Sequence, residues 1–396
     1  MSTLQFKRTP RLAAPRRPGG EVHLEPPPEV PRTVPGNIMM KMLPGVMIFM
    51  SIGMMAFMFV ISKNNPSTLL MGGMMMMGTV GMMAGGGGRG NKKGEMNEDR
   101  KDYLRYLGQM RERAREATNE QRAEREWAHP DPQTLWSIAT SRRMWERRSA
   151  DADFMHLRVG RGSQRLDTRL VPPQTGPVEE LEPIATLALR RFVRAHSIVP
   201  DLPVSIALRS FAAVGLSGEK DQVRGLARAM IGQMAAFHTP DDLLIAVVTS
   251  GRAKQQWEWA KWLPHVQSPS LVDGIGALRL MSGSLAQVEQ YLDEELRDRQ
   301  RFTRNAPPLA DQPHIVIVID DGEVTREENI ILEEGLVGVT LLDLSDSLGS
   351  LASRRGLRLV VDGGRLGARS ASGVEWFGAP DSMSAIEAEA LARRLS

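Results

Sequence analysis

The chain has 396 residues, no cysteine and a formal net charge of only +3, with 50 basic against 47 acidic side chains. The lack of cysteine excludes a disulfide framework, a thiol nucleophile and a cysteine-ligated zinc site. The near balance of charge gives little support to a nucleic-acid-binding surface. Of the 24 methionines, 15 lie between Met39 and Met83, so this stretch differs in kind from the rest of the chain.

The first 88 residues predict an arm followed by a membrane anchor. Residues 1–37 are rich in proline and poor in large apolar side chains, which predicts a disordered or extended cytoplasmic arm that docks on a partner. Residues 38–88 contain two uncharged runs, 42–61 and 66–88, each long enough to span the roughly 30 Å hydrocarbon core of a bilayer. The short loop around Lys63 between them predicts a hairpin of two transmembrane helices.

Basic residues flank this hairpin on its outer sides, with seven before the first run, six after the second and one in the loop. This distribution predicts a two-pass protein of the inner (plasma) membrane with both termini in the cytoplasm. The methionines and glycines of the second run favour close helix packing within the lipid. We therefore expect contacts with other membrane subunits, or self-association.

Residues 89–129 predict a stalk helix. The sequence is charged from Glu95 to Trp127, and its first half carries one apolar stripe at helical spacing. The second half is almost wholly polar and predicts a solvated rod. Asp131 is the predicted N-cap of the next helix, with Pro132 at its first position.

Residues 130–396 alternate between apolar runs and amphipathic segments, which predicts an α/β domain with a mostly parallel sheet covered on both faces. The predicted strands are 154–159, 204–208, 211–216, 243–248, 314–319, 337–342 and 357–361. The predicted helices are 183–196, 219–237, 284–302 and 384–395.

The junction between residues 213 and 221 is similar to a phosphate-binding loop but lacks its chemistry. A P-loop reads G-x-x-x-x-G-K-[ST], because backbone amides surround the phosphates and the hydroxyl binds magnesium. Gly215, Gly218 and Lys220 stand near those positions. Glu219 and Asp221, however, replace the glycine before the lysine and the hydroxyl after it. The added carboxylates would repel a phosphate.

A second nucleotide-related feature is the apolar strand that ends in Asp320 and Asp321. In a Walker B strand such an acid holds the magnesium shell. Beside the altered loop, this indicates a P-loop-NTPase-like fold in which these five residues are candidate nucleotide-binding positions, with a purely structural role favoured over residual activity. The seven histidines show no metal-binding spacing, and no catalytic or metal-ligating residue is assigned. Trp257, Trp259 and Trp262 favour core packing over a partner surface.

Several motifs together carry a family resemblance. They are NEDRKDYLRYL at 97–107, HPDP at 129–132, RRMWERR at 142–148, DADFMHLRVGRG at 151–162, GEKDQVRGLARAMIGQMAAFH at 218–238 and WEWAKWLPHVQ at 257–267. With the methionine-rich hairpin, this set resembles the N-terminal portion of EccC, the membrane-anchored FtsK/SpoIIIE-type ATPase family of mycobacterial type VII (ESX) secretion systems.

The resemblance implies a secretion motor that exports WXG100/ESX and PE/PPE proteins across the inner membrane. It implies EccB, EccD and EccE as membrane partners, assembly into a hexamer, and ATP with Mg²⁺ bound by further C-terminal modules of the full-length protein. Without an intact Walker A motif, this segment is expected to bind no cofactor and to be no catalyst by itself. The alternatives are an FtsK-like membrane-anchored DNA translocase, which would favour a basic channel face, and a stand-alone signalling ATPase.

Overall fold

The computed structural model describes residues 10–30, 38–61, 74, 77–78, 88–304, 306–307, 309, 311–325 and 327–396. The chain divides into two compact units. The larger unit comprises Met1–Pro18, Thr118–Asp167 and Ile198–Ser396, and the smaller unit comprises Gly19–Ala117 and Thr168–Ser197.

The elements are numbered here in chain order. The strands are β1 Glu21–His23, β2 His156–Arg165, β3 Arg169–Val171, β4 Ile198–Ala207, β5 Ala213–Gly218, β6 Leu243–Thr249, β7 Gln267–Val272, β8 Ala277–Arg279, β9 Met281–Ser282, β10 His314–Asp320, β11 Val339–Asp343, β12 Gly356–Asp362, β13 Arg365–Ser370 and β14 Gly373–Pro380. The α-helices are α1 Ile38–Ile61, α2 Gly88–Ala128, α3 Leu135–Ile138, α4 Pro183–His196, α5 Lys220–Phe237, α6 Lys254–Trp257, α7 Leu285–Tyr291, α8 Asp293–Leu296, α9 Asn329–Leu332, α10 Gly349–Arg355 and α11 Ala385–Leu395.

The larger unit is built on one ten-stranded sheet, in the order β4-β2-β14-β13-β12-β5-β11-β10-β6-β9. The six strands from β12 to β9 pair in parallel, and the four from β13 to β4 extend the sheet in antiparallel pairs. All seven residues of β6 and all seven of β10 are buried, as their continuous apolar runs require. The predicted α/β fold with a mostly parallel sheet is confirmed.

The antiparallel strands β13 and β14 were absent from the sequence-based prediction. Their sequences, RLGARS and GVEWFGAP, contain three glycines and many exposed positions, so they lack the buried apolar run that marks β6 or β10. Gly363 and Gly364 both have positive φ and form the tight turn between β12 and β13. Turn chemistry was therefore the stronger signal here.

The predicted helix 284–302 is wrong beyond Leu296. Asp298 has a left-handed φ of 62°, which a continuing helix does not accept. The Arg299 guanidinium donates hydrogen bonds to the carbonyl oxygens of Pro313, at 2.7 Å, and Gly338, at 3.0 Å. This arginine therefore ties the segment to the loop before β10 and the residue before β11, and the helix ends.

The first predicted membrane run falls in α1, and the second, 66–88, lies almost wholly outside the described residues. Among the helices that the structure describes, none meets the combined length and apolarity of a membrane-spanning segment. The predicted two-helix hairpin is therefore not supported by the described part of the chain.

In the smaller unit, the N-terminal arm contacts its own chain. Strand β1 pairs in parallel with β3, and Leu24 is buried among side chains of α2 and α4. The Tyr103 hydroxyl donates to the Glu25 carbonyl oxygen at 2.9 Å, and the Glu25 amide donates to the Tyr106 hydroxyl at 3.0 Å. Residues 20–30 are thus extended, and the surface they dock on is an intramolecular one.

The apolar stripe predicted in the first half of the stalk is buried, because Leu107, Met110 and Ala114 pack on Leu189 and Phe192 of α4. The second half, in the larger unit, is not a solvated rod. The Gln121 amide is buried, donates to the Arg165 carbonyl oxygen at 3.0 Å and accepts from the Asp167 amide at 2.9 Å. The burial of one glutamine cannot be predicted from a sequence in which its neighbours are also polar.

Four buried histidines of the larger unit, His129, His238, His265 and His314, give its stability a predicted pH dependence, because burial lowers the pKa of each. The rings of His238 and His314 both contact the Phe154 ring edge-on, and burial, with nearby arginines, lowers the pKa of each to about 3. Because unfolded histidine has a pKa near 6.5, the unfolded state binds more protons between pH 6.5 and about 3. Stability is thus fully present above pH 6.5 and is lost as pH falls.

We expect the free energy of unfolding, measured by urea titration, to fall by about 1–2 kcal/mol per buried histidine between pH 7 and pH 5. His238→Gln should flatten this slope by one proton, whereas His23→Gln, at an exposed position, should leave it unchanged. A pH-independent midpoint in the unsubstituted chain would contradict neutral burial of these rings.

Candidate functional site

Four of the five predicted nucleotide-binding residues lie at one edge of the parallel sheet. Strands β5 and β10 run in the same direction with β11 between them, so their carboxyl ends share that edge. Ligands of open α/β sheets bind at such an edge. Gly218, Lys220, Asp320 and Asp321 lie at this edge, whereas Gly215 lies within β5.

The strand-to-helix junction leaves no room for a phosphate loop. Gly215 lies inside β5, Gly218 is its last residue, and Lys220 is already the first residue of α5, so Glu219 alone connects strand and helix. Gly218 has a φ of +143°, and a Cβ there would lie 2.0 Å from the carbonyl oxygen of Val361 in β12. The neighbouring strand therefore accounts for this glycine without any phosphate.

Asp320, at the end of β10, is fully engaged by protein groups. Arg224 donates to it from Nε at 2.7 Å and from Nη2 at 3.2 Å, and Trp257 Nε1 donates to Oδ2 at 2.8 Å. The carboxylate is 2% exposed. The hydrogen bond with Asp320 raises the pKa of Arg224, which fixes the positive charge beside the acid. A bidentate guanidinium is thus bound to the carboxylate that would hold magnesium in a Walker B site.

Asp321 and Lys220 form a solvated ion pair next to this cluster. Lys220 Nζ lies 2.9 Å and 3.2 Å from the two carboxylate oxygens of Asp321. The two side chains are 65% and 42% exposed, so water screens the pair and its contribution to stability is below about 1 kcal/mol. The lysine that would contact phosphate in a P-loop is here paired within the protein.

The residues present do not fit a nucleotide with Mg²⁺. The junction has no ring of backbone amides, Lys220 is paired, and Asp320 is covered by Arg224 and Trp257. No group of three or more potential metal-ligating side chains occurs within the described residues. The arrangement is chemically suited to fastening β10, α5 and α6 together.

Arg224 was not predicted as a site residue, although its position relative to Lys220 indicates that it lies near the site. Arg224 follows Lys220 by four residues and therefore lies on the same face of α5. Trp257 and Trp259 are buried, which confirms the core interpretation for these two, and Trp262 is partly buried against the same core. The hydrogen bond from the Trp257 indole to Asp320 adds a role that spacing alone did not reveal.

A second charged cluster of the larger unit holds the C-terminal end of α2. Arg143 Nη2 donates to the Trp127 carbonyl oxygen at 3.0 Å, and Arg147 Nη2 donates to that of Ala128. Arg143 also lies 4.0 Å from the centre of the Trp127 ring. The last carbonyls of a helix carry partial negative charge and lack helical partners, so buried cations stabilise them. Burial lowers the pKa of Arg147 to about 10, where it remains charged at neutral pH.

Arg158 of β2 completes this cluster, which we call the arginine clamp and define as Arg143, Arg147 and Arg158. Its Nη2 lies 3.0 Å from Asp131 Oδ2 and 2.8 Å from Asp381 Oδ1, and its Nη1 contacts the His129 carbonyl oxygen at 3.4 Å. The predicted cap is confirmed, because Asp131 accepts from the Gln133 amide at 3.1 Å. The clamp fastens α2 and the loop after it to the sheet.

Comparison with known proteins places this sequence in a family. No family model matches the chain. The chain is 43% identical, over its whole length, to the ESX secretion system protein EccC of Thermomonospora curvata. The chain belongs to the EccC family. It is also 37% identical, over 76% of its length, to the ESX-4 protein EccC4 of Mycobacterium tuberculosis and 33% identical, over its whole length, to the ESX-3 protein EccC3 of that species.

These relatives confirm the resemblance carried by the sequence motifs. The chain spans 30%, 24% and 30% of the three relatives, respectively, so it corresponds to about a quarter to a third of an EccC protein. Among solved structures, the cytoplasmic domain of the T. curvata type VII secretion ATPase EccC covers 62% of this chain and 31% of its own, with 15% identity and a TM-score of 0.34. The membership in the EccC family therefore rests on the sequence relatives.

Proposed function

We propose that this chain is the membrane anchor, stalk and regulatory ATPase-like domain of a type VII secretion motor. The motor would drive the export of WXG100/ESX and PE/PPE proteins across the inner membrane. The kinship with EccC proteins supports the secretion role. The exposed apolar surface of α1 is the observation that carries the anchoring role.

Helix α1 presents large apolar side chains outward. Phe49 is 81% exposed, Met50 71% and Val60 78%. Apolar surface costs roughly 25 cal/mol per Å² in water, and a continuous patch of this kind marks a membrane or protein contact. The run 42–61 carries no charged side chain, which favours lipid over water as its main neighbour.

The proposed coupling role is supported by the arginine clamp. A stalk transmits displacement only where its end is fixed, and three buried guanidinium groups hold the end of α2 and the loop that follows it. Because the site at the end of β10 is filled by Arg224 and Trp257, the domain would act without its own nucleotide. ATP and Mg²⁺ would then be used by further modules of the full-length protein.

The partners follow the same proposal. EccB, EccD and EccE would surround the two membrane segments, and copies of the chain would assemble into a hexamer in contact with membrane lipid. ATPases 2 and 3 of T. curvata EccC have been solved in complex with a signal sequence peptide. By analogy, secreted substrates would bind the ATPase modules and not this segment.

Membrane fractionation tests the anchor. The unsubstituted chain should stay in the membrane pellet after alkaline carbonate washing, and deletion of residues 38–88 should move nearly all of it to the supernatant, because insertion of such a run is effectively irreversible. Replacing the exposed Val272 and Ile275 of the β7–β8 hairpin with serine serves as a control and should leave the pellet fraction unchanged. Retention of the deleted chain in the washed pellet would refute anchoring by this region.

A further inference from the structure

Helix α4 of the smaller unit has an exposed face that the fold does not use. Its opposite face, with Ala185, Leu189 and Phe192, is buried against α2. On the exposed face, Ile184 is 51% and Leu187 48% accessible. The same face continues with the arginines at 190, 191 and 194, which are also exposed.

The helical spacing aligns these side chains. Residues 184, 187, 191 and 194 follow one another by three or four positions, so they form one line along α4. The apolar pair occupies the first half of that line and the guanidinium groups occupy the second half. We call the five side chains, Ile184, Leu187, Arg190, Arg191 and Arg194, the α4 face.

The three arginines carry charge that the described chain does not neutralise. Helix α4 contains no acidic residue, and no described carboxylate forms an ion pair with any of the three. Two other exposed arginines of the unit are paired at short range, Arg105 with Asp102 at 2.7 Å and Arg115 with Glu112 at 2.8 Å. The α4 face is therefore an uncompensated positive surface beside an apolar one.

We propose that the α4 face binds an acidic amphipathic segment of a neighbouring protein subunit. Apolar side chains of that segment would cover Ile184 and Leu187, and its carboxylates would form bidentate pairs with the three guanidinium groups. Interfaces are enriched in arginine and in desolvated apolar anchors, and both are present here in adjacent positions.

A lipid surface fits this face less well. An interfacial helix inserts its own apolar side, and the apolar side of α4 is already buried in the core of the smaller unit. Two partly exposed aliphatic residues remain, which is too little for insertion but sufficient for one turn of a docking helix. A second copy of the chain is the other occupant that the experiment must separate.

Photocrosslinking in native membranes tests the proposal. The full-length protein would carry benzoylphenylalanine at position 187, and the linked peptides would be sequenced by mass spectrometry. The expected adduct is a segment of another subunit that contains several Asp or Glu residues. Its yield should fall at least tenfold in Arg190→Glu/Arg191→Glu/Arg194→Glu, because the charges would then repel.

The matched control reverses three arginines that already have carboxylate partners in the larger unit, Arg297→Glu/Arg301→Glu/Arg354→Glu. It changes the net charge equally and should leave the adduct within twofold. Reversing the acids of the linked segment to lysine should restore the yield in the α4 variant. Adducts to lipid, adducts to a second copy, no adduct, or an adduct indifferent to the α4 charges would each overturn the proposal. The carbonate-wash assay tests membrane anchoring independently, so failure of the α4-face proposal is distinguishable from failure of the anchoring proposal.

Discussion

Replacing Arg158 with methionine is expected to lower the free energy of unfolding by about 3–5 kcal/mol. The guanidinium is buried and lies 2.8 Å from both Oδ1 and Oδ2 of Asp381, one from Nη2 and one from Nε. Burial raises the pKa of Asp381, and Arg158 opposes this shift. Without Arg158, the Asp381 carboxylate would be buried without its partner, and the arginine clamp would lose its contact with the loop after α2.

Urea titration of Arg158→Met would measure this loss in the free energy of unfolding. Arg158→Met combined with Asp381→Leu should recover a large part of the loss, because removing both charges eliminates the unpaired carboxylate. Arg297→Met is the surface control, since the Arg297–Asp293 pair is exposed and contributes little. Equal losses in Arg158→Met and Arg297→Met would show that the clamp does not stabilise the fold.

Replacing Asp320 with alanine is expected to lower the free energy of unfolding by about 2–4 kcal/mol, because it leaves two donors without their acceptor. Arg224 would lose its bidentate partner and keep only the longer contact with Asp321 at 3.7 Å, and the fully buried Trp257 would lose its indole hydrogen bond. If Asp320 instead held magnesium, alanine would abolish nucleotide binding with little effect on the free protein.

Lys220→Ala separates these interpretations. Because the Lys220–Asp321 pair is solvated, this variant should lie within about 1 kcal/mol of the unsubstituted chain. The comparison is made by urea titration without nucleotide and repeated with ATP and Mg²⁺. A midpoint that rises with ATP in the unsubstituted chain, but not in Lys220→Ala, would contradict a structural role for this cluster.

The elements predicted best are those whose sequence carries its own periodicity. Helix 183–196 has the predicted bounds, and β6 and β10 differ from prediction by one residue each. These elements are predictable because the spacing of their apolar residues shows whether one face or both faces are buried. The sequences of β13 and β14 lack such an apolar pattern, so these strands were not predicted. The predicted helix after Leu296 failed because Arg299 binds distant carbonyl groups.

The candidate site was located by motif but could not be interpreted by motif. Strand ends and chain order brought Lys220, Asp320 and Asp321 to one edge, as expected for the fold. The contacts that occupy the Asp320 carboxylate depend on tertiary structure, because Arg224 comes from the next turn of α5 and Trp257 comes from α6. The structural reason for a glycine at position 218 was likewise not predictable, since a Cβ there would collide with the carbonyl oxygen of Val361, 143 residues away in sequence.

Titration of the 396-residue chain with ATP in the presence of Mg²⁺ tests the central claim most directly. The account predicts no saturable binding at ATP concentrations up to about 1 mM, which corresponds to roughly −4 kcal/mol or weaker. Magnesium-dependent binding at micromolar ATP, lost in both Lys220→Ala and Asp320→Asn, would contradict it and would make this domain a working nucleotide site.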